Sequence, residues 1–168
     1  MTYAVVFSSN TGNTRLLAEQ IQKEKGDEKC AYFGEPNLQA LEADVLYVGF
    51  WTDKGCCDEK AGDFLTKIHN KKVYLFGTAG FGKAESYFEK ILKKAEQKIP
   101  KDNVIGKGFM CQGKMPYAVR KRYEDILREN PQDERIKMLI ENFDMALIHP
   151  NEMDFHQLKE WLRSSTLQ

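Results

Sequence analysis

Ser8-Ser9-Asn10-Thr11-Gly12-Asn13-Thr14 places four hydroxyls and two carboxamides in seven positions, between the apolar run Tyr3 to Phe7 and an amphipathic helical pattern from Asn13 to Lys25. Donors at that density suit an anion. The end of a buried strand delivers the loop to a helix N-terminus, where unpaired N–H groups and the positive dipole end favour a bound phosphate. Each side-chain donor adds a charge-assisted hydrogen bond worth roughly 1.5–3 kcal/mol. The letters exclude two other phosphate loops, because there is neither a Gly-Lys-Ser/Thr ending nor a set of three spaced glycines. An ordinary N-cap accounts for one of these hydroxyls and leaves the others without a purpose.

Two more loops have compositions that pure packing does not require. In Phe50-Trp51-Thr52-Asp53-Lys54-Gly55-Cys56-Cys57 a large aromatic leaves an apolar strand for a polar turn. Trp51 there is poorly placed for a core and well placed to lie along a flat ligand, against the alternative of packing under the next helix. Gly77-Thr78-Ala79-Gly80-Phe81-Gly82-Lys83 carries three glycines in its first six positions. Glycines there permit close backbone approach, and Phe81 between two of them has little local packing. Phe81 is therefore a candidate for stacking on a ligand, with Tyr87 as substitute if the loop folds back; incidental exposure is the plainer alternative. Arg15 divides evenly between a phosphate contact and a solvent-facing side chain. His69, His149 and His156 show no triad or ligand spacing and read as surface residues.

The elements that must position these loops alternate in type. Apolar runs at Tyr3 to Phe7, Lys29 to Phe33, Val45 to Phe50, Lys72 to Phe76 and Val104 to Cys111 read as strands, the second polar enough for an edge and the last interrupted by Gly106 and Gly108. Helical spacing covers Asn13 to Lys25, Asp58 to His69 and Ala84 to Lys98, with a brief turn near Pro36 to Leu41. That rhythm is the mark of a parallel sheet covered by helices, whose ligand lies beyond the carboxyl ends of the strands.

Ser9-Asn10-Thr11-Gly12-Asn13-Thr14 in its strand–loop–helix setting resembles the phosphate loop of the flavodoxin family, and the likeness in element order runs from about residue 2 to 111. The resemblance implies an α/β three-layer fold with a five-stranded parallel sheet in the order 2-1-3-4-5. It also implies flavin mononucleotide (FMN) as cofactor and electron transfer between redox partner proteins as function. The cofactor-binding residues it implies are Ser8, Ser9, Asn10, Thr11, Gly12, Asn13 and Thr14; Trp51, Thr52, Asp53, Lys54 and Gly55; and Thr78, Ala79, Gly80, Phe81 and Gly82. The glycine-flanked Phe81 is similar to the stacking aromatic of clostridial-type flavodoxins. The peptide at Lys54-Gly55 or Asp53-Lys54 is the candidate for one whose carbonyl answers the redox state of the ring.

Composition narrows the classes further. The chain has 168 residues, 42% hydrophobic and 30% charged, which fits one globular domain and excludes disorder. Lys plus Arg equals Asp plus Glu at 25 each, so a basic nucleic-acid binder is excluded and long-range steering of a partner is weak. No stretch reaches the length of a membrane span, and the start lacks a signal-peptide pattern. Cys30, Cys56, Cys57 and Cys111 form no C-x-x-C or metal knuckle, so reduced thiols and a cytoplasmic, monomeric protein are expected.

The likeness fades after Cys111, where 57 residues remain. They read as helices near Ala118 to Glu129, Asp133 to Leu147 and Asp154 to Arg163, the last a covering helix through Phe155, Leu158, Trp161 and Leu162. Residues 112–150 are then a helical elaboration of one domain spanning 1–168. Tyr117, Arg120, Lys121, Arg122 and Tyr123 make a basic aromatic patch, either a docking face or a brace. The tail with Cys111-Gln112-Gly113-Lys114-Met115 also resembles a flavodoxin-like subfamily of gut anaerobes associated with bilin (bilirubin) reduction. Two alternatives to an electron carrier stay open: an FMN-dependent NAD(P)H oxidoreductase acting on a quinone or pigment, and a binding module without cofactor.

Overall fold

The computed structural model describes residues 1–82 and 84–166, so Lys83 of the glycine-rich loop and the last two residues lie outside the described residues. The strands in chain order are β1 (Tyr3–Phe7), β2 (Cys30–Gly34), β3 (Val45–Asp53), β4 (Cys56–Cys57), β5 (Lys72–Ala79), β6 (Val104–Ile105) and β7 (Phe109–Gln112). The helices are α1 (Asn13–Lys25), α2 (Glu59–Leu65), α3 (Glu85–Glu96), α4 (Tyr117–Glu129), α5 (Glu134–Ala146) and α6 (Glu152–Thr166).

The parallel sheet runs β2-β1-β3-β5, and β6 and β7 share the far edge of β5. In the count of expected strands this is the order 2-1-3-4-5. The fifth strand differs from expectation in being two pieces. A Cβ on Gly106 would lie 2.1 Å from the Tyr74 ring, and one on Gly108 would lie 2.7 Å from Leu92. The break between them lets those two side chains close over the sheet edge. Between β3 and β5 the register pairs Gly49 with Phe76 and Phe50 with Gly77. Each phenylalanine lies over the glycine of the neighbouring strand, at 2.3 and 2.7 Å from where a Cβ would stand, so the two central strands lock ring against backbone on opposite faces.

One face of the sheet carries α2 and α3, which bury Ala61, Phe64, Leu65, Ile91 and Ala95 against Val48, Phe50 and Leu75. The other carries α1 and α6. There Leu17, Ile21, Leu158 and Leu162 surround a rosette of rings in which Tyr47 stacks on Tyr74 at 5.2 Å and Trp161 stands edge-on to both. The polar tips are satisfied, since the Tyr74 hydroxyl donates to Ser165 O and Trp161 Nε1 to Lys107 O. The covering role expected of the last helix is filled by α6.

α4 and α5 belong to neither layer of helices. They follow β7 at the carboxyl end of the sheet and pack on each other, with Arg120 forking onto Asp144 through Nε and Nη2 at 2.9 and 3.1 Å. Arg120 also pairs with Glu124 on its own helix. Arg120 of the basic patch is thus a brace between two helices. Among the described residues no helix is long and apolar enough to cross a membrane.

Candidate cofactor site

Three loops leave the carboxyl ends of β1, β3 and β5 side by side. The first is seated by Ser8, whose N–H donates to Gly49 O at 3.0 Å. Gly12 then turns the chain with φ +88°, a left-handed conformation that costs a side-chain-bearing residue strain although the space around it is open. No side chain caps Gly12 at the N-terminus of α1. Nearby, Ser9 Oγ accepts the Arg15 N–H at a long 3.4 Å. The hydroxyls are therefore not spent on capping in the usual way.

Their directions differ from one another. Thr14 is fully buried and its Oγ1 donates to Phe50 O at 3.1 Å, with Thr78 Oγ1 also at 3.1 Å. This hydroxyl ties the helix start to the central strands, which the expectation of four outward donors did not include. Thr11 Oγ1 and Asn13 Nδ2 donate to Lys114 O at 3.2 and 2.8 Å. Asn13 Oδ1, in a side chain only 5% exposed, is a buried acceptor with no partner among the described residues. Arg15 points to solvent and pairs with Glu19.

The second loop is a hairpin. β3 runs past the expected end at Phe50 to Asp53, turns through Lys54 (φ +50°) and Gly55 (φ +76°), and returns as β4 with Thr52 opposite Cys57. Positive φ at both central positions is the type I′ turn, whose twist matches that of paired strands. Thr52 Oγ1 donates to Thr78 O at 2.9 Å and fixes the hairpin to β5. Asp58 holds its base by accepting from Trp51 N through Oδ1 and capping α2 at Ala61 N through Oδ2. The sulfurs of Cys56 and Cys57 are 3.9 Å apart, and burial first, then the neighbouring thiol, pushes the Cys57 thiol up to about 12.

In the third loop Phe81 is 38% exposed, and Gly113 N donates to Ala79 O at 2.9 Å. Tyr87 stands half-buried beside it, its hydroxyl pushed to higher pKa by burial.

These loops enclose one cavity of about 470 Å³. Of the expected residues, Asn10, Thr11, Asn13, Trp51, Thr52, Asp53, Lys54, Gly55, Thr78, Ala79, Gly80 and Phe81 line it. Ser8, Ser9, Gly12, Thr14 and Gly82 do not; they form or support the loops behind its wall. The sequence reading missed Gly113, Lys114, Met115, Pro116 and Val119, which close one side together with Arg122 and Tyr87. Only topology hinted at them, since a segment following the last strand begins at the ligand end of the sheet. His149 also corrects the surface reading: half-buried, it holds Asp154 Oδ2 at 2.6 Å through Nδ1. Among the described residues no group of three or more His, Cys, Asp or Glu side chains is arranged to hold a metal.

The lining mixes polar side chains with large aromatics, the character of a site for a small organic ligand. Asn10, Thr11 and Asn13 at the start of α1 share the cavity's lining with two large aromatics, Trp51 and Phe81. Residues 4–163 match the model of the flavodoxin domain. The chain belongs to the flavodoxin family. Within that family it is 41% identical over 182 residues to the flavodoxin-like domain-containing protein BilS of Clostridium symbiosum (strain WAL-14163), covering 98% of this chain and 96% of the relative. Among solved structures, a short-chain flavodoxin associated with a non-canonical PDU bacterial microcompartment superposes with a TM-score of 0.63 at 16% identity, covering 99% of this chain and 97% of that one. A flavoprotein from Lactobacillus acidophilus NCFM, solved in complex with FMN, gives 0.51 at 12% identity over 65% of this chain and 92% of its own. Likeness at such low identity shows the shared fold, while the match to BilS includes the residues after Cys111.

Proposed function

We propose that this protein binds FMN in the cavity between the three loops and carries electrons to a redox partner enzyme. The observation that carries the reading is the meeting of the three expected loops around one cavity of about 470 Å³, with Trp51 and Phe81 both on its lining. Asn13, on the same lining, keeps a buried Oδ1 with no donor among the described residues, a cost of about 1–3 kcal/mol in a chain that only needed to pack. The residues fit the cofactor. Asn10 and the start of α1 would hold its phosphate, and Trp51 and Phe81 would lie along its ring. When bound, FMN supplies the redox chemistry. The chain would supply orientation and exclusion of water, and the Lys54–Gly55 turn, fixed by its hairpin, would border the site of the ring.

The family and the BilS relative support a carrier working with other proteins. A bilin or tetrapyrrole reductase is the partner we infer, following the resemblance of the tail to the bilin-associated subfamily. The test is expression and purification of the chain, followed by release and identification of its chromophore. A yellow protein carrying one FMN per chain is the expected result. Colourless protein that fails to take up added FMN overturns the reading. Oxidation of NAD(P)H by the purified protein alone, without an added reductase, would move the function from carrier to stand-alone oxidoreductase.

A further inference from the structure

Phe81 has glycine on either side; a pair of amides holds the first, and one of the two also packs against the second. Gly80 O accepts Gln112 Nε2 at 2.9 Å and Asn142 Nδ2 at 3.0 Å, while Asn142 Oδ1 accepts Gln112 Nε2 at 3.2 Å. On the other side Gly82 lies so close to the Gln112 side chain that a Cβ there would stand 2.8 Å from it. Asn142 belongs to α5, is 5% exposed, and sits beside Phe143 and Ala146, which are fully buried or nearly so. A carboxamide at such a position is costly unless both its ends are paired. Here both are, and one of the pairs crosses 62 residues to the loop that carries Phe81.

We propose that Asn142 is a positioning residue that, together with Gln112, fixes the Gly80 peptide and so the place of Phe81 at the cavity that would hold the ring. The inference rests on the FMN reading above and gives the helices after β7 a task beyond covering one side of the cavity. Phe81 is 38% exposed, and where its ring can reach over the cavity depends on the backbone on which it stands. Fixing the Gly80 carbonyl at its acceptor end and seating Gly82 against Gln112 removes freedom from both flanking peptides. A ring held in advance gives up less entropy on stacking than one that must find its place.

The test is a double-mutant cycle of Asn142→Leu with Phe81→Ala, read as FMN dissociation constant and as the circular dichroism of bound FMN in the visible band. Asn142→Leu removes the donor to Gly80 and the acceptor for Gln112, and should weaken FMN binding about 5- to 10-fold and alter the visible dichroism. In the Phe81→Ala background the same change should have less than a 2-fold effect, because the group it positions is gone. In FMN-free protein, amide exchange at Phe81 and Gly82 should speed up with Asn142→Leu while that of β1 and β3 stays as in the parent. If Asn142→Leu does not fold, the isosteric Asn142→Asp, which cannot donate to Gly80, carries the same cycle. Equal weakening in both backgrounds, or none in the parent background, overturns the inference. A parent protein that binds no FMN fails at an earlier step, and the amide-exchange comparison still decides whether Asn142 holds the loop.

Discussion

Replacing Thr14 with valine should lower the stability of the fold by about 2–3 kcal/mol, although the sequence pattern places that hydroxyl in a phosphate loop. Thr14 is fully buried, and its Oγ1 reaches Phe50 O and Thr78 Oγ1, both at 3.1 Å. Valine keeps the shape, so neither a cavity nor overpacking contributes. What is lost is two intramolecular hydrogen bonds at about 0.5–1.5 kcal/mol each, toward the upper end because the partners stay buried, which makes about 2–3 kcal/mol in all. For a chain of this length each kcal/mol moves the melting temperature by about 2–4 °C, so Thr14→Val should melt about 5–10 °C below the parent. Thr14→Ser retains the hydroxyl and should recover most of the hydrogen-bonding component, losing only the methyl contact. The assay is thermal and urea denaturation of FMN-free protein, with FMN affinity measured separately on each variant. An unchanged melting temperature combined with a large loss of FMN affinity would refute the reasoning, since the hydroxyl would then serve the ligand and not the join between α1 and the sheet.

Phe81→Ala should weaken FMN binding about tenfold by removing one stacked face, and should raise the fluorescence of the bound flavin while leaving the melting temperature of FMN-free protein within 2 °C of the parent; unchanged affinity would place the outer face elsewhere, with Tyr87 the next residue to test. Lys54→Asn should stabilise the hairpin by a few tenths to about 1 kcal/mol, because Lys54 holds φ +50° in a type I′ turn that favours asparagine there; a lower urea midpoint would contradict that turn. Raising the pH should destabilise the protein. Burial holds the Cys57 thiol protonated up to about 12 and moves Cys111, Tyr47 and Tyr3 upward as well. In the unfolded chain these groups release their protons at about pH 8.5–10, so above that range the unfolded state binds fewer protons and gains stability over the folded one. The urea midpoint should hold steady from about pH 7 to 8 and fall from about pH 9 to 11, and a midpoint that stays level or rises across that range would count against the burial of these groups.

Much of this molecule is legible one segment at a time. The bounds of α1 follow from local apolar spacing and from Gly26, and the structure has the same first and last residue, Asn13 and Lys25. The edge position of β2 and the covering role of α6 follow from which runs are apolar on both faces and which on one, while the sheet order came with the resemblance to the flavodoxin family. Three loop compositions mark where a ligand would sit, because glycines, hydroxyls and exposed rings are costly or useless there in a chain that only needs to pack. Local spacing left the direction of individual side chains open. The turn of Thr14 into the sheet, the capture of Thr11 and Asn13 by the Lys114 carbonyl, and the reach of Asn142 to Gly80 join residues 36, 103, 101 and 62 positions apart. Such pairs are decided when α1 seats on the sheet and the chain after β7 settles on the loops, where each buried polar atom must find a partner or carry the cost of lacking one. The period of a helix reveals which face turns inward; only the packed neighbours determine what an asparagine on that face will hold.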